Sequence, residues 1–240
     1  MIDADPGTGA PAGGWREATV TSVGHPSAHG VQLRLHVADR VEHLPGQHYV
    51  VRLVAPDGYV AQRSYSVASD PSDSEIELYV ERLADGEVSP FLADDVAPGD
   101  RLSVRGPIGG WFVWDGTQPM LGVGGGSGVV PLVSMARHAH VLGRPDLVRL
   151  AVSGRSIDRL PYADELLAAG AHVSLSREVP ASWPRPPSRL SASDLGPLVG
   201  DQRRCYVCGS HVFAEGLSQL LVELGVPVEC IRVERFGPSG

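Results

Sequence analysis

The stretch Met120-Leu121-Gly122-Val123-Gly124-Gly125-Gly126-Ser127-Gly128 decides the fold of this chain. Its first four residues make a short apolar strand and its glycines a tight turn. Val129, Val130, Leu132, Val133, Met135, Ala136 and Ala139 then recur at helical spacing up to Gly143. Strand, glycine turn and helix in that order open a parallel sheet wrapped by helices. The alternation continues through residues 147–152, 163–169, 171–175, 204–207, 210–224 and 228–233, which makes the C-terminal half an α/β doubly wound parallel sheet. In the long helix after residue 210, Ser210 is the cap, Gly225 the stop, and Phe213, Leu217, Leu220, Leu221 and Leu224 the face turned to the sheet.

Upstream of this stretch the period changes to two. Residues 18–23, 31–37, 49–54 and 75–81 alternate apolar with polar, and Pro45-Gly46, Pro56-Asp57-Gly58 and Pro98-Gly99-Asp100 punctuate them. Several short strands in about a hundred residues are expected to curl into a closed or nearly closed antiparallel β-barrel of Greek-key type, which hides its edges. The resulting division is a disordered segment at 1–14, rich in Gly, Pro and Ala, a barrel at 15–114 and an α/β domain at 115–240. Asp115-Gly116-Thr117-Gln118-Pro119 is the linker, and the proline-rich run 183–188 is a stiff loop.

At 240 residues the chain has room for two domains, each with a core. A formal charge of −8 argues against nucleic acid or an anionic membrane as the main partner. All 20 basic residues are arginine, first a mark of coding bias. Cys205, Cys208 and Cys230 are too few for a disulfide framework, which points to a reducing cytoplasm. Cys205 and Cys208 have redox or zinc spacing, but without a second ligand pair no metal is expected. No leader peptide or membrane span is read from the sequence.

Two places are suited to phosphates. In Gln62-Arg63-Ser64-Tyr65-Ser66-Val67, strand alternation puts Arg63 and Tyr65 on one face, with the Ser66 hydroxyl at the edge. A flavin asks for that set: a planar cation for the diphosphate, a ring against the isoalloxazine and a hydroxyl near N5. Four ordinary strand residues are the plainer reading. Nearby, Asp85-Gly86-Glu87-Val88 leads to Ser89 as an N-cap and Pro90 at the first helical position, a helix start whose free amides suit an anion; a capped surface helix is the alternative.

The second place is the glycine turn itself, at the end of the sheet's first strand, where a dinucleotide diphosphate binds in such folds. It departs from G-x-G-x-x-G because Val129 takes the third glycine's position, and it lacks the lysine of a P-loop. A turn needed only for packing stays open. The next two strands end in Ser153-Gly154-Arg155-Ser156 and Ser176-Arg177-Glu178, so Ser153, Arg155, Ser176 and Arg177 are placed to meet a 2′-phosphate. That favours NADPH over NADH, although Glu178 could instead hold a 2′-hydroxyl. Cys208, with Gly209 after it, stands at a strand end beside the crevice, either at the reactive end of a bound nucleotide or as a small buried filler.

Taken in chain order, Arg63-Ser64-Tyr65-Ser66, Gly86-Glu87-Val88-Ser89, Gly106-Pro107-Ile108-Gly109, the run from Gly125 to Pro131, Cys208-Gly209 and Glu234-Arg235-Phe236-Gly237 make the sequence resemble the ferredoxin-NADP reductase superfamily from Trp15 to Gly240. The resemblance implies a flavin barrel followed by a nicotinamide-nucleotide domain, with hydride passing from NAD(P)H to flavin between them. Under it, Arg63, Ser64, Tyr65 and Ser66 contact the flavin, and Gly86, Glu87, Val88 and Ser89 cradle its diphosphate, favouring FAD over FMN. Gly125, Gly126, Ser127, Gly128 and Pro131 bind the nucleotide diphosphate. Cys208 abuts the nicotinamide, so that Ser66, Cys208 and Glu234 are the catalytic candidates, and Phe236 sits where many members place an aromatic over the flavin. His48 is either near the flavin or ordinary strand surface.

The expected activity is an NADPH-dependent flavoprotein that hands electrons to a separate acceptor, because a fused plant-type iron-sulfur domain would need four cysteines. That acceptor is a ferredoxin, an oxygenase component or a small molecule. A ferredoxin would ask for a basic patch, for which Arg16, Arg34, Arg52, Arg82 and Arg105 are candidates. A non-catalytic flavin-binding subunit and a ferric-chelate or flavin reductase are the alternatives.

Overall fold

The structure, a computed structural model, describes residues 14–200 and 204–236. The expected N-terminal disordered segment, apart from Gly14, and the Gly237 of the closing motif lie outside the described residues.

Six strands form the first sheet: β1 (Arg16–Ser27), β2 (Gly30–Val37), β3 (His48–Val54), β4 (Val60–Ser66), β5 (Ile76–Glu81) and β6 (Arg101–Ile108), in spatial order β4-β3-β6-β1-β2-β5. All the pairings are antiparallel, with β6 returning from a distance to lie between β3 and β1. Alternation builds this layer. In β2, Val31, Leu33, Leu35 and Val37 point inward and meet Ala18, Val20, Ile76, Leu78, Val51 and Val104 in one core. The edge strands β4 and β5 approach each other but share only the isolated Val67–Leu78 bridge, so the sheet is barrel-like rather than closed by a full ladder.

Strand β6, whose Gly106-Pro107 stands in the sequence reading only as part of a motif, is missing from the alternating segments read there. Its glycine is a packing requirement, because a Cβ there would lie 2.5 Å from Cγ of the buried Tyr49 ring. A short helix, α1 (Ser89–Asp94), covers the sheet between β5 and β6. Its start differs from expectation: Val88 is the N-cap, and the Ser89 hydroxyl, one position inside, accepts a hydrogen bond from the Leu83 amide at 3.1 Å. Ser89 closes the 83–89 loop rather than capping the helix.

The second layer has five parallel strands in the order β11-β10-β7-β8-β9: β7 (Met120–Gly125), β8 (Val148–Gly154), β9 (His172–Leu175), β10 (Arg204–Ser210) and β11 (Ile231–Phe236). Helices α2 (Val130–Val141), α3 (Ala163–Ala168), α4 (Ala192–Leu195) and α5 (His211–Glu223) flank it. The Ser210 hydroxyl accepts from the Phe213 amide and caps α5, whose apolar face packs on the sheet core, and Gly225 ends it at φ +90°. Helix α2 ends at Val141, before Gly143. Among the described residues no helix is long and apolar enough to cross a membrane.

Candidate active site

Strand β4 puts Arg63 and Tyr65 on one face, as its alternation demands. Arg63 and Tyr65 stand across from Val51 and Tyr49 of β3, Tyr65 packs partly buried against the barrel core, and burial raises its phenol pKa. Ser66 at the strand end is 5% exposed, and its Oγ is buried without a protein partner. A buried hydroxyl left unpaired costs free energy unless a ligand supplies the bond. Ser66 stands directly opposite His48, whose pKa burial lowers and whose Nδ1 lies 3.7 Å from where a Cβ on Gly109 would sit.

Arg63 also connects the two segments expected to hold a diphosphate. Its Nη2 is 4.0 Å from Oε2 of Glu87, which in turn accepts from the Tyr59 hydroxyl at 3.1 Å. Gly86 packs against the Ser89 hydroxyl, which a Cβ would approach to 2.7 Å. A cation and a glycine loop thus face each other across an exposed gap, with Glu87 as the present counter-charge. Ser64 is exposed and Val88 is fully buried.

The glycine turn serves two ends at once. A Cβ on Gly125 would come within 2.8 Å of the Phe213 ring, and one on Gly128 would collide with the Cys208 carbonyl oxygen, so both glycines let the turn press against β10 and α5. Gly126 differs: its φ of +57° is left-handed and its side-chain position faces open space. Ser127 follows in a single 3-10 turn, and Pro131 is buried in the first turn of α2. Packing therefore explains Gly125 and Gly128, and the open ground lies at Gly126.

The tips of β8 and β9 converge as the sequence indicates. The Arg155 carbonyl accepts from the Arg177 and Glu178 amides at 2.9 and 3.0 Å, and the Ser176 hydroxyl donates to the Gly154 carbonyl at 3.1 Å. Ser153 is in register with Gly125. Arg155, Arg177 and Glu178 are all exposed.

On the other side of β7, Cys208 is in register with Gly124 and with Glu234 of β11. Cys208 is 0% exposed, and burial pushes its thiol well above the usual range, so it is a neutral, enclosed group. Gly209 sits against the Phe213 ring, and Phe236 packs on the cluster that contains Cys208. Burial raises Glu234 to about 7, and its Oε2 is buried without a partner. Ser66 and Glu234 are thus two unpaired buried acceptors, one in each half. No group of three metal-ligating side chains occurs among the described residues.

The five arginines proposed as a patch divide. Arg34 is held by Asp73, Glu75 and Glu77, and Arg82 by Asp94, so neither is free to join one. Arg52 and Arg105 instead lie over the Trp15 ring, 4.2 and 5.2 Å from its centroid, and Arg16 lines the same cavity as Trp15 and Arg52.

Sequence reading missed the contact between the two layers. The Ser134 hydroxyl donates to the Ser69 carbonyl at 2.8 Å, Arg137 Nη1 donates to the Ala68 carbonyl at 3.0 Å and to Glu77 Oε1 at 2.9 Å, and His138 Nδ1 is 2.7 Å from Asp70 Oδ2. Each pair is more than fifty residues apart in the chain, and no local pattern announces it.

Comparison with known proteins identifies the family. Residues 19–113 match the oxidoreductase FAD-binding domain family. The ferredoxin–NAD(P)(+) reductase component of the naphthalene 1,2-dioxygenase/salicylate 5-hydroxylase systems of Ralstonia sp. is 31% identical over 93% of this chain and 70% of its own length. Among solved structures, the FAD/NAD-binding domain of the nitric oxide dioxygenase of Vibrio cholerae superposes with a TM-score of 0.81 at 22% identity, covering 93% of this chain and 99% of that one. A cytochrome P450 reductase from Amycolatopsis gives 0.77 at 26% identity over 94% of this chain and 71% of its own. The chain belongs to the ferredoxin-NADP reductase superfamily of NAD(P)H-dependent, FAD-containing oxidoreductases.

Proposed function

We propose that this protein takes hydride from NADPH onto a bound FAD and passes the electrons to a separate ferredoxin or oxygenase component. The observation that carries the reading is the buried, unpaired Ser66 hydroxyl at the end of the strand that bears Arg63 and Tyr65. Bound FAD would supply the ability to accept two electrons together and release them singly.

The residues present fit that cofactor. Arg63 would offer its planar fork to the diphosphate in exchange for Glu87, with the Gly86–Ser89 loop opposite and Val88 as its buried anchor. Tyr65 would lie along the flavin ring, Ser66 would donate to it, and Ser64 would contribute at the exposed side. Residues 15–114 form the FAD-binding part in this reading and residues 115–240 the nucleotide-binding part.

In the second part, Gly126 and Ser127 give a diphosphate open backbone at the start of α2, with Gly125, Gly128 and Pro131 holding the turn in place. Arg155 and Arg177, joined through the Arg155 carbonyl and flanked by Ser153 and Ser176, favour a 2′-phosphate and so NADPH. Cys208 with Gly209 forms the floor at the reactive end, and Glu234, with a pKa of about 7, can hold or release a proton beside it. Phe236 closes the apolar side. The acceptor assignment rests on relatives that are named as reductase components of dioxygenase and monooxygenase systems.

Anaerobic mixing of the purified, FAD-loaded protein with NADPH tests this. Bleaching of the flavin band is expected, faster with NADPH than with NADH, followed by reoxidation on adding a two-iron ferredoxin. A colourless protein that takes up no FAD, or a flavin band that NADPH leaves intact, would overturn it.

A further inference from the structure

Helix α2 does two things within three turns. Its first residues lie directly behind the open glycine turn; its Ser134 and Arg137 hold the Ser69 and Ala68 carbonyls and its His138 the Asp70 carboxylate, in the segment that follows Ser66 by two to four residues. Two residues of extended chain span at most about 7 Å, and one helical turn rises about 5.4 Å. The path from the flavin serine to the nucleotide turn through these contacts is therefore short.

Arg137 is the centre of the group. Its guanidinium donates to the Ala68 carbonyl and to Glu77 of β5 with one nitrogen, and to both carboxylate oxygens of Glu165 in α3 with the others, at 2.7 and 2.8 Å. Burial alone would lower its pKa, and Glu165 and Glu77 more than offset that, so the group is a fixed cation. Glu77 is 2% exposed and also meets Arg34, while the Tyr162 ring lies 5.2 Å below the Arg137 guanidinium and edge-on to Tyr79 of the barrel. The planar fork makes four hydrogen bonds here, two of them bidentate to Glu165, whereas an ammonium has three donors on a single atom and cannot reproduce that spread. A cavity of about 570 Å³ opens on the outer side of this seam, lined among others by Arg34, Asp73, Arg137 and Glu165. Beside this opening the layers also meet through buried apolar side chains, Ala68 and Tyr79 against Val130, Val133 and Tyr162, so the ion pairs add a directional tie to a packed contact.

We propose that Arg137 is a positioning residue for hydride transfer: by tying the backbone after Ser66 to the helix behind the glycine turn, it fixes the separation of the two nucleotide sites. The inference rests on the function proposed above. Displacement of reacting groups by about 1 Å costs on the order of a hundredfold in rate, so a looser seam should be felt in the transfer step before it is felt in binding.

The test uses the full chain with Arg137→Met, Arg137→Lys and Ser134→Ala, and Arg144→Met as a surface ion-pair control. In FAD-loaded protein, the expected result is a flavin-bleaching rate constant about tenfold to a hundredfold lower in Arg137→Met, with FAD content and the NADPH dissociation constant within about twofold of the unaltered protein. Arg137→Lys should recover little of this, and Ser134→Ala should lose roughly threefold to tenfold. In FAD-free protein, amide hydrogen exchange of residues 66–70 and 130–141 should quicken about tenfold in Arg137→Met while residues 30–37 keep their rates. Unchanged bleaching in Arg137→Met, or unchanged exchange at the seam, would overturn the proposal, as would a rate loss fully matched by lost FAD. Should Arg137→Met fail to fold, Ser134→Ala with either readout unaltered overturns it equally. If NADPH does not bleach the unaltered protein, the proposed function fails instead, and the exchange measurement still judges the seam.

Discussion

Glu234 stands beside Cys208 in register on neighbouring parallel strands, and one of its carboxylate oxygens is buried without a hydrogen-bond partner. Burial raises its pKa from 4.5 to about 7. The unfolded chain therefore ionises this group first. The protonated form favours folding below about pH 4.5, and that contribution fades as pH rises through 7, by about 3 kcal/mol at most. Urea unfolding at pH 5 and pH 8 should show the loss in the natural chain and a flatter profile in Glu234→Gln. Equal slopes would place the carboxylate in water.

Arg63 is paired with Glu87, which would compete with a bound diphosphate for the same guanidinium. Replacing Arg63 with Ala removes a charge-assisted bond worth roughly 1.5–3 kcal/mol, so FAD should bind about tenfold to a hundredfold more weakly. Glu87→Gln should act in the other direction, since the rival carboxylate is gone. Titration of FAD by fluorescence quenching reads both, and equal affinity in all three proteins would remove Arg63 from the site.

At the β8 and β9 tips, loss of both guanidinium groups by Arg155→Ala with Arg177→Ala is expected to raise the KM for NADPH by tenfold or more and to leave that for NADH within about twofold. Equal effects on the two coenzymes would contradict the 2′-phosphate assignment.

Gly128 permits a close approach of the turn to β10, since a Cβ there would collide with the Cys208 carbonyl oxygen. Gly128→Ala must push the turn away from β10, at a cost of about 1–3 kcal/mol, and NADPH binding should weaken while FAD content holds. A Gly126→Ala change meets open space but a φ of +57°, so it should cost less, about 1 kcal/mol. Thermal melts and coenzyme titration separate the two.

The enclosed thiol of Cys208 should resist alkylation in the folded protein, as should Cys205, whose thiol burial raises to about 12. Cys230 is partly exposed and should react first with iodoacetamide at pH 8. Cys208→Ser should slow flavin reduction with little change in FAD content. An unaltered stopped-flow rate would leave the residue as filler.

Much of this arrangement was legible because its signals are local. Alternation alone puts Arg63 with Tyr65, the order of strand, glycines and helix places the glycine turn at the end of β7, and Ser210 and Gly225 bound α5. Long-range relations were not legible. Nothing near Arg137 shows that it meets Ala68 and Glu77, and nothing near Gly106 shows that it packs on the Tyr49 ring of another strand. Ser89 was misread for a related cause, since its hydroxyl is taken by Leu83 and a sequence pattern cannot see the competing donor. The expected basic patch separated because Arg34 and Arg82 found carboxylates within the fold.

Trp114 is 2% exposed, donates its indole N–H to the Gln118 carbonyl, and lies edge-on to the His138 ring with centroids 6.2 Å apart. Since His138 belongs to the seam, the molecule carries its own optical gauge of domain spacing. Iodide should silence the partly or fully exposed Trp15, Trp111 and Trp183, and the emission that survives should report on that single junction without any attached dye.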